Sequence, residues 1–367
     1  MRGPRTGESK VGVVNTEHAD DAVLLSTEGH TGRIVLNRPR AINALTHPMV
    51  LRMTQALAAW ERDPAVTQVL VSGAGERGLC AGGDIRAIHD DARAGGTASA
   101  GFWRDEYRLN ARIARLARGP MPYVALMDGI VMGGGVGISA HGSVRIVTER
   151  SRVAMPETGI GFVPDIGGTY LLSRAPGELG THLALIGTAV GAADAILCGL
   201  ADHFVPSGRL PELAAELAGA AVADVLPRYA LPAPDGELAG RRAWIDHCYA
   251  AGTVEEIVDR LLAHGDPAAK EAAETILAKS PTALKITLAA VRRARELPTL
   301  EQVLVQEYRV SCHCLSSPDL VEGVRAQVVD KDRTPRWSPA ALGAVTDAEV
   351  ERYFEPLGGR FHELTLD

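Results

Sequence analysis

"MPYVALMDGIVMGGGVGISAHG" (residues 121–142) is the stretch that decides the fold. It opens with an apolar run that stops at Met127, too short for a helix and right for a buried strand. Asp128 and Gly129 break that run, and the glycine triplet Gly133–Gly135 leads into what reads as a helix. The same arrangement occurs earlier: the β-branched "VTQVLVSG" (66–73) runs into "GLCAGGDI" (78–85). Glycine lets the backbone come close to a ligand, and a helix start presents N–H groups with no internal partner. Two such starts facing one point make an oxyanion hole with two donors. The competing reading is a tight turn packed closely on a neighbouring strand.

Outward from these strands, "AVLLSTEGHTGRIVLN" (22–37) reads as a hairpin with a Gly-containing turn. "THPMVLRMTQALAAWERD" (46–63) reads as a helix, with Met49, Met53 and Leu57 on one face, and "RDEYRLNARIARLAR" (104–118) as another. Strands alternating with helices predict an α/β core with crossover connections over residues 22–206. "LPAPDGELAG" (231–240) reads as a loop. From about residue 253 the pattern is almost wholly helical, so residues 207–367 form a mainly helical C-terminal portion. Residues 1–21 read as a poorly ordered leader.

Bulk properties narrow the function. Of 367 residues, 46% are apolar and 23% charged, and the formal net charge of −7 argues against a nucleic-acid surface. No apolar run reaches the roughly 18 to 20 residues of a membrane span. No secretory h-region precedes the core, which predicts a cytoplasmic protein. The cysteines Cys80, Cys198, Cys248, Cys312 and Cys314 are odd in number with no C-x-x-C pair, and read as free thiols. There is no phosphate-binding G-x-x-x-x-G-K-[ST] motif, and Ile138 stands where a G-x-G-x-x-G pattern needs its last glycine. Ser139 reads as a helix residue rather than a nucleophile, and His141 as structural; no H-x-x-x-H metal pattern occurs.

"MPETGIGFVPDIGG" (155–168) then places Glu157 and Asp165 in a stretch otherwise free of charge. From the residues alone, Glu157 is either a helix-start acid beside Pro156 or a functional carboxylate. Asp165 is either an N-cap after Pro164 or a second functional carboxylate. Glu106 sits on a charged helix face, where a solvated acid is the ordinary case.

"LCAGGDI" and "GIVMGGGVGIS" resemble the two oxyanion segments of the crotonase superfamily, the enoyl-CoA hydratase/isomerase fold, a spiral of ββα units. "FWRDEYRLN", "AMPETGIGFVPDIGG", "SPTALKIT", "QEYRVS" and "EGVRAQVVDKDRTPRW" narrow the resemblance to its 3-hydroxyisobutyryl-CoA hydrolase branch, over roughly residues 22–357. The resemblance implies an acyl-CoA substrate whose thioester carbonyl lies between the backbone N–H groups of Gly83 and Gly134. It implies Glu157 as the catalytic carboxylate, acting as nucleophile or as general base, with Asp165 and Glu106 as substrate-contacting acids. It further implies Ala81 as carbonyl partner of the coenzyme A adenine, Arg77 and Arg86 near the phosphates, and neither metal nor redox cofactor. Hydratases of this fold carry a second glutamate three residues after the middle glycine of the triplet; here that position is Gly137. The rival readings are a hydratase or isomerase on the same fold and a non-catalytic acyl-CoA-binding scaffold. A homo-oligomer also stays open, because members often form trimers, while the longer C-terminal portion offers to cover the same surface within one chain.

Overall fold

The computed structural model describes residues 19–366. The leader expected over residues 1–21 lies outside the described residues except for its end, where a short helix, Ala19–Ala22, begins. Eight strands follow: β1 (Val23–Glu28), β2 (Thr31–Leu36), β3 (Gln68–Gly73), β4 (Tyr123–Met127), β5 (Ile130–Met132), β6 (Val144–Val147), β7 (Arg152–Ala154) and β8 (His203–Phe204). β1 and β2 form the expected antiparallel hairpin, Val23 opposite Leu36 and Glu28 opposite Thr31. The turn between them is Gly29–His30, with Gly29 at φ +58, the two-residue connection that suits twisted strands. The main sheet has the order β1-β2-β3-β4-β6-β8, parallel from β2 onward, and β5 and β7 pair separately in parallel.

β4 is buried along its whole length, and β3 over Gln68–Val71. Such strands do not alternate because both faces of the sheet are covered. One face carries the helix His47–Trp60, which buries Met49, Met53 and Leu57 as its spacing predicted. The other carries Leu70, Val124, Leu126 and Ile146 against Leu213, Leu217, Val225 and Tyr229, so the first part of the helical C-terminal portion completes the sheet's packing. Gln68 fastens this contact. Its Nε2 donates to the Leu217 and Ala220 carbonyls and to Thr31 Oγ1, and its Oε1 accepts from Val222 N–H. A side-chain amide only 2% exposed is satisfied in this way at both its nitrogen and its oxygen.

The later helices, among them Pro281–Glu296 and Leu300–Cys314, pack on Ala98–Arg118 and Gly168–Ser173. One apolar cluster runs from Val23 to Leu364. Ser139 corrects the sequence reading: the helix after the glycine triplet is Gly134–Gly137 only, and Ser139 lies in the turn beyond it, donating to the Gly135 carbonyl at 2.6 Å. His141 is structural, with Nε2 bonded to the Ile166 carbonyl at 2.8 Å. The five cysteines are free and buried.

Candidate active site

The two glycine segments lie side by side. Leu79 N–H donates to Asp128 O, Cys80 N–H to Ile130 O and Met132 N–H to Cys80 O, at 2.9 to 3.1 Å. This pairing brings the two helix starts, Ile85–Arg93 and Gly134–Gly137, to one place. The N–H groups of Gly83 and Gly134 donate to no protein acceptor among the described residues. A Cβ on Gly134 would lie 3.4 Å from Gly83 N and 2.6 Å from Glu106 Oε1, so the space in front of Gly134 is shared by a free donor and a carboxylate.

That space is a cavity of about 200 Å³ lined by Ala81, Gly83, Glu106, Gly134, Glu157 and Asp165 and walled by Ile88, Phe102, Trp103 and Phe162. Trp103 and Phe162 stack with ring centroids 5.3 Å apart. Glu157 opens the 3₁₀ turn Glu157–Ile160, directly after Pro156. It is 6% exposed, its Oε2 has no partner, and its Oε1 lies 3.0 Å from where a Cβ on Gly133 would stand. Glu106 is on the inward face of Ala98–Arg118, not the solvated one; it is buried with Oε1 unpartnered. Burial, and then the charge of Asp165, push both glutamates well above the usual carboxylate range. Unpartnered buried carboxylate oxygens are costly, and here they face two unused N–H donors.

Asp165 is not an N-cap. The helix Gly168–Ser173 has Gly167 in that place, and Asp165 instead accepts from Tyr107 Oη at 2.7 Å. Burial pushes its carboxyl up to about 7 against the pull of that hydrogen bond. The next residue, Ile166, has φ +58, a left-handed conformation that a β-branched residue reaches only under constraint. The constraint is visible: His141 holds the Ile166 carbonyl, Gly168 N–H bonds the Asp165 carbonyl at 2.6 Å, and Glu307 accepts from Gly167 N–H at 2.6 Å. Glu307 also accepts from the N–H and Oγ1 of Thr169. Ser311, one turn on from Glu307, bonds Tyr107 Oη at 2.9 Å. Sequence reasoning singled out none of Tyr107, Glu307 and Ser311. Their signal was the pair of segments "RDEYRLN" and "QEYRVS", which meet only in the folded chain.

Arg77 and Arg86 are not brought into the cavity. Both are exposed; Arg77 donates to the Arg40 carbonyl at 3.4 Å, and Arg86 to the carbonyl of Val328 at the cavity's rim at 2.6 Å. Ala81 is at the cavity, and its carbonyl accepts no hydrogen bond among the described residues.

A family model described as enoyl-CoA hydratase/isomerase matches residues 31–354. The chain belongs to the enoyl-CoA hydratase/isomerase family. Its fold is the crotonase fold, and this family contains relatives of differing activity. A Gallus gallus protein named 3-hydroxyisobutyryl-CoA hydrolase, mitochondrial, is 43% identical over 355 residues, 93% of this chain and 91% of the relative. A solved structure described as a carnitinyl-CoA dehydratase from Mycobacterium thermoresistibile has 54% identity and a TM-score of 0.91, covering 95% of this chain and 99% of the other. One described as an enoyl-CoA hydratase from Rhodobacter sphaeroides 2.4.1 has 44% identity and a TM-score of 0.87, covering 94% and 100%. Among the described residues no helix is long and apolar enough to cross a membrane.

Proposed function

We propose that this enzyme hydrolyses a short branched 3-hydroxyacyl-CoA thioester, 3-hydroxyisobutyryl-CoA in the first instance, to the free acid and coenzyme A, a step of valine catabolism. Coenzyme A enters as part of the substrate, and the reaction uses this chain's own groups. The N–H groups of Gly83 and Gly134 donate hydrogen bonds to the thioester oxygen as negative charge develops on it, a contribution of about 10² to 10³ in rate per donor. Glu157 either attacks the carbonyl carbon or takes a proton from the water that does. In the first route a mixed anhydride forms, coenzyme A leaves as thiolate and is protonated, and water then cleaves the anhydride. In the second the proton taken by Glu157 passes to the leaving thiolate. Rapid-quench mass spectrometry separates the two, since only the first leaves an acyl adduct on Glu157. Asp165 and Glu106 bind the substrate's 3-hydroxyl.

The observation that carries this reading is at position 137. The family's hydratases need a glutamate there, and in this structure the place is filled. A Cβ on Gly137 would lie 2.9 Å from Asn110 Nδ2 and 2.9 Å from Ile166 Cβ. No carboxylate reaches the cavity from that direction, and one displaced to another segment is a poor substitute in proton transfer, which needs contact within about 3 Å.

The hydratase reading draws on the solved relatives' descriptions, and a paired assay decides between them. Free thiol release from 3-hydroxyisobutyryl-CoA and loss of enoyl absorbance from crotonyl-CoA are followed on one preparation. Fast thiol release with hydration lower by orders of magnitude is the expected outcome. Fast hydration without thiol release overturns the proposal, and neither activity leaves a binding scaffold.

A further inference from the structure

Four carboxylates, Glu106, Glu157, Asp165 and Glu307, are each 6% exposed or less and close around one site. Among the described residues none of them forms a hydrogen bond or ion pair with an arginine or lysine. A fifth acid, Asp319, lies against the Glu157 turn, where a Cβ on Gly161 would meet its carbonyl at 2.2 Å. Asp319 is already bonded to Ser280 Oγ and Ser338 N–H. A cavity so loaded with one sign of charge disfavours the carboxylate form that the chemistry needs.

One cation approaches it from behind. Lys279 sits in the three-residue link between the helices Pro267–Leu277 and Pro281–Glu296. That link is docked on the Glu157 turn, because Ser280 N–H points at the Thr158 carbonyl at 3.4 Å. The half-buried Lys279 side chain runs past two glycines. Its Nζ lies 3.3 Å from where a Cβ on Gly159 would be and 3.5 Å from one on Gly187, whose own nearest neighbour is Pro156. The ammonium has no bonded acceptor among the described residues. A half-buried lysine that makes no ion pair has given up hydration without a direct partner in return.

We propose that Lys279 is a positioning residue for the reaction, a counter-charge that offsets part of the penalty on the Glu157 carboxylate without occupying its oxygens. The lysine acts through the Glu157–Ile160 turn and does not touch substrate. Its charge works against the larger upward push that burial gives Glu157, and because Glu157 Oε2 has no partner the carboxylate keeps an oxygen free for the reaction. The glycines at 159 and 187 leave the lane through which the ammonium passes. This rests on the hydrolase reading above.

The test is the pH dependence of kcat/KM for thiol release in wild type, Lys279→Met and Lys279→Arg. Methionine keeps the stem's packing and removes the charge. Removing a nearby positive charge raises the pH at which Glu157 ionises, so the acid limb should move up by about one pH unit in Lys279→Met. Lys279→Arg should restore it towards wild type. An equal fall in kcat/KM at every pH, with the limb unmoved, would show that the stem only packs and would overturn the proposal. A rise in KM with the limb unmoved would place Lys279 on the coenzyme A phosphates instead, and overturns it equally. Wild type that releases no thiol from any acyl-CoA overturns the hydrolase reading itself, which keeps the two failures distinct.

Discussion

Glu157 is the residue on which the chemistry turns, and its isolation makes its removal informative. Glu157→Gln keeps the volume and loses the charge, so kcat for thiol release should fall by at least about 10² while KM changes little. Half of wild-type activity in that variant would refute the assignment. Gly134 is tested by a single carbon. A Cβ there meets Glu106 Oε1 at 2.6 Å and Leu45 Cδ1 at 3.2 Å, so Gly134→Ala intrudes on the carbonyl's place and displaces the donor. Turnover should drop by about 10² with circular dichroism unchanged. Asp165→Gly should harm 3-hydroxyacyl-CoA more than the matching unsubstituted acyl-CoA, measured as the ratio of their kcat/KM values. Equal losses would mean that Asp165 serves water or the loop rather than the hydroxyl.

At the level of elements, the loop that carries Asp165 is shaped from outside itself. Its left-handed Ile166 and the start of Gly168–Ser173 depend on Glu307 from Leu300–Cys314, and Tyr107 from Ala98–Arg118 aims the carboxylate. Glu307→Ala leaves the buried N–H groups of Gly167 and Thr169 without a partner. The expected loss is about 2 kcal/mol of stability, seen as a lower Tm, together with reduced kcat as the Asp165 loop slackens. Tyr107→Phe removes one hydroxyl, with its bonds to Asp165 and Ser311, but leaves no backbone N–H of the loop unpaired, and should leave Tm closer to wild type while lowering kcat. A Glu307→Ala protein with wild-type Tm would show that the loop holds its own shape.

For the whole molecule, the buried titratable groups predict an uncommon pH profile of stability. Asp165 and Glu307 are pushed up to about 7 and about 8 by burial, and Glu106 and Glu157 are raised as well. In the unfolded chain they release their protons near pH 4. The folded state therefore binds more protons in between, and their contribution to stability is lost as pH rises towards about 8. His141 and His182 are buried neutral and pushed down to about 4 and about 3. Their contribution is present above the unfolded value near 6.5 and is lost as pH falls below it. With four raised carboxyls set against two depressed imidazoles, Tm should decline as pH rises from about 4.5 towards 8, and Asp165→Asn should flatten that decline. Because one apolar cluster joins the sheet to the C-terminal helices, calorimetry should record a single unfolding transition.

The sequence by itself determined the local elements and the chemical inventory. The hairpin, the helix bearing Met49, Met53 and Leu57, the fully apolar β4 and the two glycine turns follow from periodicity and turn chemistry, which act over a few residues. Glu157 and Asp165 were visible because acids in an apolar stretch need a reason. Tertiary structure alone decided that Glu106 faces inward, that Asp165 caps no helix, and that Arg77 and Arg86 stay outside the cavity. It alone brought Glu307 to the Gly167 N–H and Lys279 behind Glu157, and filled the space at Gly137 with Asn110 and Ile166. These are contacts between residues that lie far apart in the chain, fixed by how helices pack on a sheet and by which buried polar groups must find partners. No local pattern encodes them.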